Sequence, residues 1–114
     1  MLKIYHNPRC SKSRQTLSLI EAAGAEAETI LYIAEPLDAK TIKDLLSKLG
    51  FTDAQQLMRK GEAIYKEMNL KSVTDQNALI AAMAAHPKLI ERPIVVKENR
   101  AILGRPPENV KEFL

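Results

Sequence analysis

In the first third of the chain, apolar and polar residues first alternate, and apolar residues then recur at helical spacing. This pattern predicts a strand, a helix and a second strand. The alternation predicts a strand over residues 2–6, and the β-branched run at 28–33 predicts another. Between them the apolar spacing predicts a helix that begins at Cys10 or Ser11, ends at Gly24 and buries Leu17, Ile20 and Ala23. Such a β-α-β unit predicts that the two strands are parallel.

The middle of the chain has helical periodicity throughout. Asp38 and Gly50 are suitable ends for a helix whose apolar side is formed by Ile42, Leu45, Leu46 and Leu49. Short helices are predicted over 52–61 and 62–68. A longer one is predicted over 75–85, because Leu79, Ile80 and Met83 form a buried stripe.

The last part of the chain returns to strand signals. Residues 94–97 and 101–103 predict an antiparallel hairpin with its turn at 98–100, followed by a final helix near Glu108. The predicted order is therefore β-α-β, a helical insertion and β-β-α, which is an α/β fold with a mixed sheet flanked by helices. At 114 residues and 46% hydrophobic content, we expect a single domain over residues 1–114.

The composition indicates the cellular compartment and the classes of partner to expect. A single cysteine cannot form an internal disulfide, and the chain has neither a signal-peptide pattern nor an apolar run of about 18 residues. We therefore expect a soluble, cytoplasmic protein that does not bind a membrane. A net charge of +3, spread along the chain, with three Tyr, two Phe and no Trp, also predicts no nucleic-acid partner.

The single cysteine, Cys10, lies where a predicted strand gives way to a predicted helix. Unpaired backbone N–H groups at a helix start, with Arg9, Lys12 and Arg14 close in sequence, favour the nucleophilic thiolate. Free cysteines are often simply buried apolar residues. The polar stretch from residue 9 to residue 15 makes a poor apolar pocket, so we interpret Cys10 as a reactive thiol.

The order of elements and the position of Cys10 are those of a thioredoxin-like domain, with Ser13 where a C-x-x-C pair would place its second cysteine. Four sequence patches are also informative: Tyr5-His6-Asn7-Pro8-x-Cys10-x-x-Ser13-Arg14, Leu57-x-Arg59-Lys60, His86-Pro87-x-Leu89-Ile90-x-Arg92-Pro93-Ile94-Val95-Val96 and Arg105-Pro106. Together they resemble the ArsC family, the glutaredoxin-coupled arsenate reductases and their relatives.

The resemblance implies roles for individual residues. Cys10 would attack arsenate, and Arg59, Arg92 and Arg105 would bind the oxyanion, to which guanidinium groups are geometrically suited. Pro93 would follow a cis peptide bond. His6 would hold the surroundings of the cysteine, although a plain strand-end histidine fits the sequence nearly as well.

Other residues have weaker assignments. Ser13 and Arg14 are counted as supporting residues, and Arg14 is equally compatible with facing the thiol or covering the helix. Arg9 and Arg100 are interpreted as surface charges. We expect no metal, because one cysteine and two distant histidines do not form a ligand set.

The implied reaction is arsenate reduction with no bound cofactor, glutathione as co-substrate and glutaredoxin as partner. Two departures leave alternatives open: Ser11-Lys12 follows the cysteine, where the arsenate reductases have small or uncharged residues, and only nine residues follow Arg105. One alternative is a thiol oxidoreductase with another substrate. The other is a transcription regulator resembling the Spx proteins, which bind RNA polymerase.

Overall fold

The computed structural model describes residues 2–114 and divides them into two compact units, residues 2–35 with 92–114 and residues 36–91. In the first unit the strands are β1 (Leu2–Tyr5), β2 (Ala27–Ile30), β3 (Ile94–Lys97) and β4 (Arg100–Leu103), and the helix is α1 (Ser11–Ala22). A 3₁₀ helix, Pro107–Phe113, stands where the final helix was predicted. The prediction of one domain over residues 1–114 stays a prediction.

The sheet described in residues 2–114 has the strand order β2-β1-β3-β4. The pairing of β1 with β2 is parallel, whereas β1–β3 and β3–β4 are antiparallel. The predicted β-α-β and β-β-α arrangement and the mixed sheet are thus confirmed. One core cluster combines the sheet with α1 and the 3₁₀ helix, through Leu2, Ile4, Ile20, Val95, Val110 and Phe113.

Two element predictions in this unit were wrong in part. The second strand ends at Ile30 rather than at residue 33, because β1 offers pairing partners only as far as Tyr5, opposite Ile30. The chain then turns, and the N–H groups of Ala34 and Glu35 donate to the Leu31 carbonyl. The hairpin turn is also one residue shorter than predicted, since Arg100 already pairs with Lys97 in the ladder.

The buried face of α1 differs from the predicted one. Its buried side chains are Ser13, Thr16 and Ile20, whereas Leu17 is half-buried and Ala23 is exposed. Thr16 is able to lie inside because its hydroxyl donates to the Lys12 carbonyl at 2.8 Å. Two polar side chains therefore occupy the turns of α1 that follow Cys10.

The second unit is helical, as predicted, but the helix expected over 52–61 is wrong, because the chain forms only a 3₁₀ turn over Ala54–Leu57 before the bridge at Met58. It contains α2 (Ala39–Leu49), α3 (Ala63–Glu67) and α4 (Gln76–Ala85), with 3₁₀ turns at Ala54–Leu57, Leu70–Ser72 and Pro87–Leu89. Asp38 caps α2 by accepting from the Thr41 N–H at 2.8 Å, and Gly50 ends it with a positive φ of 73°. None of the helices within residues 2–114 is long and apolar enough to cross a membrane.

A buried glycine brings the end of β4 against α1. A Cβ on Gly104 would lie 2.5 Å from Thr16 Oγ1 and 2.7 Å from Pro93 Cγ, and the Gly104 N–H donates to the Pro93 carbonyl at 2.9 Å. Only a residue without a side chain fits at this approach. The contact joins three segments of the first unit, from α1, the start of β3 and the end of β4.

We expect Gly104→Ala to lower the free energy of unfolding by about 1–3 kcal/mol, the usual cost of overpacking. The measurement is the urea midpoint at constant slope. Gly61→Ala is the matched control, because no heavy atom lies within 4 Å of the added Cβ and its φ is not positive. Equal midpoints for the two variants would show that Thr16 and Pro93 move aside freely.

Candidate active site

Cys10 is the N-cap residue of α1, with φ −94° and ψ 123°, and is only 8% exposed. Its backbone N–H donates to the Asn7 carbonyl at 3.0 Å, and its carbonyl accepts the first helical bond, from the Arg14 N–H at 3.0 Å. Its side chain makes no cap hydrogen bond. The thiol thus lies at the positive end of α1, as the sequence predicted.

The loop before α1 is held by a hydrogen bond within the loop and by two hydrogen bonds to residues of α1. Asn7 Oδ1 accepts from the Arg9 N–H at 3.0 Å, and Asn7 donates its own N–H to Ser13 Oγ at 3.0 Å. Arg14 reaches back along the loop, where its Nη1 donates to the Pro8 carbonyl at 2.9 Å. Arg14 therefore braces the loop, and the choice between facing the thiol and covering the helix stays a prediction.

His6 and Ser13 form a buried pair beneath this loop. His6 Nδ1 lies 2.6 Å from Ser13 Oγ, and the two residues are 6% and 0% exposed. Burial first, and then the positive charge of Arg14, lower the pKa of His6. A neutral imidazole is therefore favoured at pH 7, and the pair joins the end of β1 to the first turn of α1.

The surroundings of Cys10 favour its thiolate. Burial by itself would raise the pKa of Cys10, but the Ser13 N–H, the Arg92 guanidinium and the Lys12 N–H outweigh it, so the net effect is a lowered pKa. The two N–H groups belong to the first turn of α1, which has no partners for them inside the helix. The geometry therefore favours the thiolate, which is the nucleophilic form of a cysteine.

We expect the rate of Cys10 alkylation to rise with pH through a midpoint below the roughly 8.5 of a free cysteine. Since the pKa is lowered in the folded chain, the thiolate fraction near pH 7 exceeds that of an unfolded peptide. A small thiol-reactive alkylating agent, applied to folded and to urea-unfolded chain, gives both midpoints. A folded midpoint at or above the unfolded one would remove the proposed nucleophile.

The first unit also brings two of the predicted arginines together. Arg105 Nη1 donates to the Arg92 carbonyl at 3.1 Å, while the Arg92 side chain reaches Cys10. Arg92 Nε is buried and has no hydrogen-bond partner among residues 2–114. The Arg92–Pro93 peptide bond is cis, as the resemblance implies, and so is Arg105–Pro106.

Arg59, the third predicted arginine, belongs to the second unit. Its N–H donates to the Leu89 carbonyl at 2.7 Å, and the Glu91 N–H donates to the Leu57 carbonyl at 2.7 Å, around an antiparallel bridge between Met58 and Ile90. Its guanidinium pairs with Glu62 and Glu91. Its role in anion binding stays a prediction.

Comparison with known proteins identifies the family of this chain. The model of the ArsC family matches residues 5–113. The chain belongs to the ArsC family. It is 46% identical to an arsenate reductase of Neisseria meningitidis, over 99% of this chain and 97% of that protein. It is also 54% identical to the uncharacterized protein YfgD of Escherichia coli, over 99% and 96%.

A solved structure confirms the fold of this ArsC-family chain. The arsenate reductase from Vibrio cholerae aligns with a TM-score of 0.96 at 49% identity, covering 99% of this chain and 97% of that one. The predicted fold class, a thioredoxin-like mixed sheet flanked by helices, is therefore correct.

Sequence reasoning missed two contacts, one in each unit. One is the ion pair between the carboxylate of Glu62 and Arg59. The three-residue spacing would have indicated this pair if both residues had been placed on one helical turn. The other is the close approach of Gly104 to Thr16. A glycine immediately before Arg105-Pro106 was its only signal in the sequence.

Proposed function

We propose that this protein reduces arsenate to arsenite. The observation that carries the proposal is the pairing of a thiolate-favouring Cys10 with Arg92, whose buried Nε–H has no partner among residues 2–114. A buried donor without a partner costs about 1–3 kcal/mol, and such groups are typical of binding sites. An oxyanion at Arg92 would accept from this donor beside the nucleophile.

In the proposed first step the Cys10 thiolate attacks arsenic. One arsenate oxygen takes up protons from solvent and leaves as water, so an S–As bond replaces an As–O bond and arsenic stays pentavalent. Arg92 and Arg105 bind the remaining oxygens and offset their charge, and Arg59 is the third arginine assigned to this task.

In the proposed second step a glutathione thiolate attacks the Cys10 sulfur. The S–As bond breaks with its electron pair remaining on arsenic, which becomes trivalent and leaves as arsenite. The two sulfurs are oxidised to a mixed disulfide. Because the sequence has only one cysteine, glutaredoxin serves as the external thiol that removes glutathione from Cys10.

The test is arsenite production from arsenate with glutathione and glutaredoxin supplied, and with each omitted in turn. We expect turnover only in the complete mixture. Turnover that persists without glutaredoxin would contradict the proposed partner alone. Absence of arsenite in every mixture would contradict the substrate.

A second candidate, a thiol oxidoreductase with another substrate, is favoured by Ser11-Lys12 directly after the cysteine. Protection by sulfate distinguishes the two candidate functions, because a tetrahedral anion bound in the site would slow alkylation of Cys10. If the protein is an arsenate reductase, sulfate should protect Cys10, and Arg92→Ala should reduce this protection. An enzyme that only removes glutathione from proteins has no need of an oxyanion site.

A further inference from the structure

A cavity in the second unit has a positively charged lining. Its volume is about 460 Å³, and it is lined by Lys60, Tyr65, Lys66, Asn69 and Lys71, while no Asp or Glu of residues 2–114 contributes to the lining. Small-molecule sites have volumes of roughly 300–1,000 Å³, so the cavity is large enough for a ligand. All five residues belong to the unit of residues 36–91, and none of them has a role in the proposed reaction.

The three lysines that line this cavity are not paired with acidic groups. Within residues 2–114, no salt bridge involves the ammonium group of Lys60, Lys66 or Lys71, and all three residues are exposed. Hydrogen bonds from two glutamines, and then the charge of Lys60, lower the pKa of Asp53, yet the Asp53 carboxylate lies outside the lining. The lining thus has three positive charges that repel one another, and an anion placed between them is attracted by each.

Hydrogen bonds beneath the cavity fix the segments that carry the lysines. Tyr65 is only 5% exposed, its hydroxyl donates to Gln55 Oε1 at 2.8 Å, and Gln55 Nε2 donates to the Leu70 carbonyl at 2.8 Å. Asn69, with a φ of 51°, turns the chain from α3 into the 3₁₀ turn Leu70–Ser72. The lysines before and after this turn therefore line the same cavity.

We propose that this cavity binds a diphosphate group. An ammonium group binds phosphate oxygens as a compact point charge, and a diphosphate has enough oxygens and negative charge to contact all three lysines. The Asn69 amide nitrogen, which makes no hydrogen bond within residues 2–114, adds uncharged donors. The lysine stems and the Tyr65 ring supply apolar surface for an organic group attached to the diphosphate.

The size of the cavity and the number of lysines favour a diphosphate over a single oxyanion. A sulfate or a monophosphate has one tetrahedral centre and fills only a small part of about 460 Å³. Two linked phosphates span a greater distance and carry more charge, so each lysine gains a partner. Such a site is independent of the proposed arsenate reduction, which concerns a single tetrahedral anion bound by arginines.

Equilibrium dialysis of the full chain against pyrophosphate, at fixed ionic strength, measures this binding. We expect the Kd to rise by up to about fivefold for each of Lys60→Gln, Lys66→Gln and Lys71→Gln, and by up to about a hundredfold when the three are combined, as for the loss of one and of three exposed ion pairs. Lys43→Gln is the matched control and should leave the Kd unchanged, because Lys43 is an exposed lysine of the same unit outside the lining. Equal urea midpoints check that the variants fold.

ADP in place of pyrophosphate identifies the source of the diphosphate. Tighter binding of ADP indicates a nucleotide, whereas equal or weaker binding indicates free diphosphate, and both results support the site. Pyrophosphate binding that Lys43→Gln weakens as much as Lys66→Gln would reflect only the net positive charge of the chain and overturn the site. Binding that persists in the triple variant and is lost in Arg92→Ala would also overturn it, since pyrophosphate would then occupy the proposed oxyanion site. Absence of binding to the wild type would overturn it without bearing on arsenate reduction.

Discussion

Cys10→Ser is expected to lower arsenate turnover by at least about a thousandfold while the fold stays intact. A serine hydroxyl is close in size to the thiol but far less readily ionised, so the surroundings that favour a thiolate at Cys10 do not yield an alkoxide. Arsenite production under saturating glutathione and glutaredoxin measures the loss.

The same variant should be more stable than the wild type. Cys10 occupies the N-cap of α1 without a side-chain cap hydrogen bond, and serine is among the preferred N-cap residues. We expect a gain of up to about 1 kcal/mol in the free energy of unfolding, read from the urea midpoint. A large fall in stability would mean that lost turnover reports misfolding. Ser11→Ala, next in the chain and exposed, should retain turnover.

The sequence predicted the elements well where side-chain pattern alone decides the structure. Asp38 and Gly50 end α2 as expected, because a capping carboxylate and a left-handed glycine act locally. The extent of β2 was not predictable in this way. Its last paired residue, Ile30, is set by the length of the neighbouring strand β1. The residue pattern over 28–33 carries no information about that length.

The candidate site was predictable in its residue types but not in its contacts. The position of Cys10 before a polar stretch indicated a helix-start thiol, and the structure confirms that placement. The buried face of α1 was misjudged, since Ser13 and Thr16 lie inside through hydrogen bonds to His6 and Lys12. Apolar periodicity cannot detect buried polar residues that bond to one another or to the backbone.

Arg92→Lys is expected to separate the contribution of Arg92 to oxyanion binding from its effect on the pKa of Cys10. Lysine keeps the positive charge but lacks the planar fork and the Nε–H that is buried in Arg92. We expect the half-protecting sulfate concentration to rise by roughly tenfold to a hundredfold, as for loss of charge-assisted hydrogen bonds.

The pH midpoint of Cys10 alkylation should respond differently. In Arg92→Lys it should stay below the value of the unfolded chain, because a positive charge and the N–H groups of Ser13 and Lys12 remain. In Arg92→Ala it should rise, since the neighbouring charge that lowers the pKa of Cys10 is gone.

Arg100→Lys is the matched control for this comparison. Arg100 is exposed, donates to Glu112 at 2.7 Å and lies over the Phe113 ring, so its replacement should change neither readout. If Arg92→Lys leaves sulfate protection at the level of the Arg100→Lys control, the fork of Arg92 does not bind the oxyanion. Arg92 would then serve only to favour the thiolate, and the unpartnered Nε–H would need another ligand.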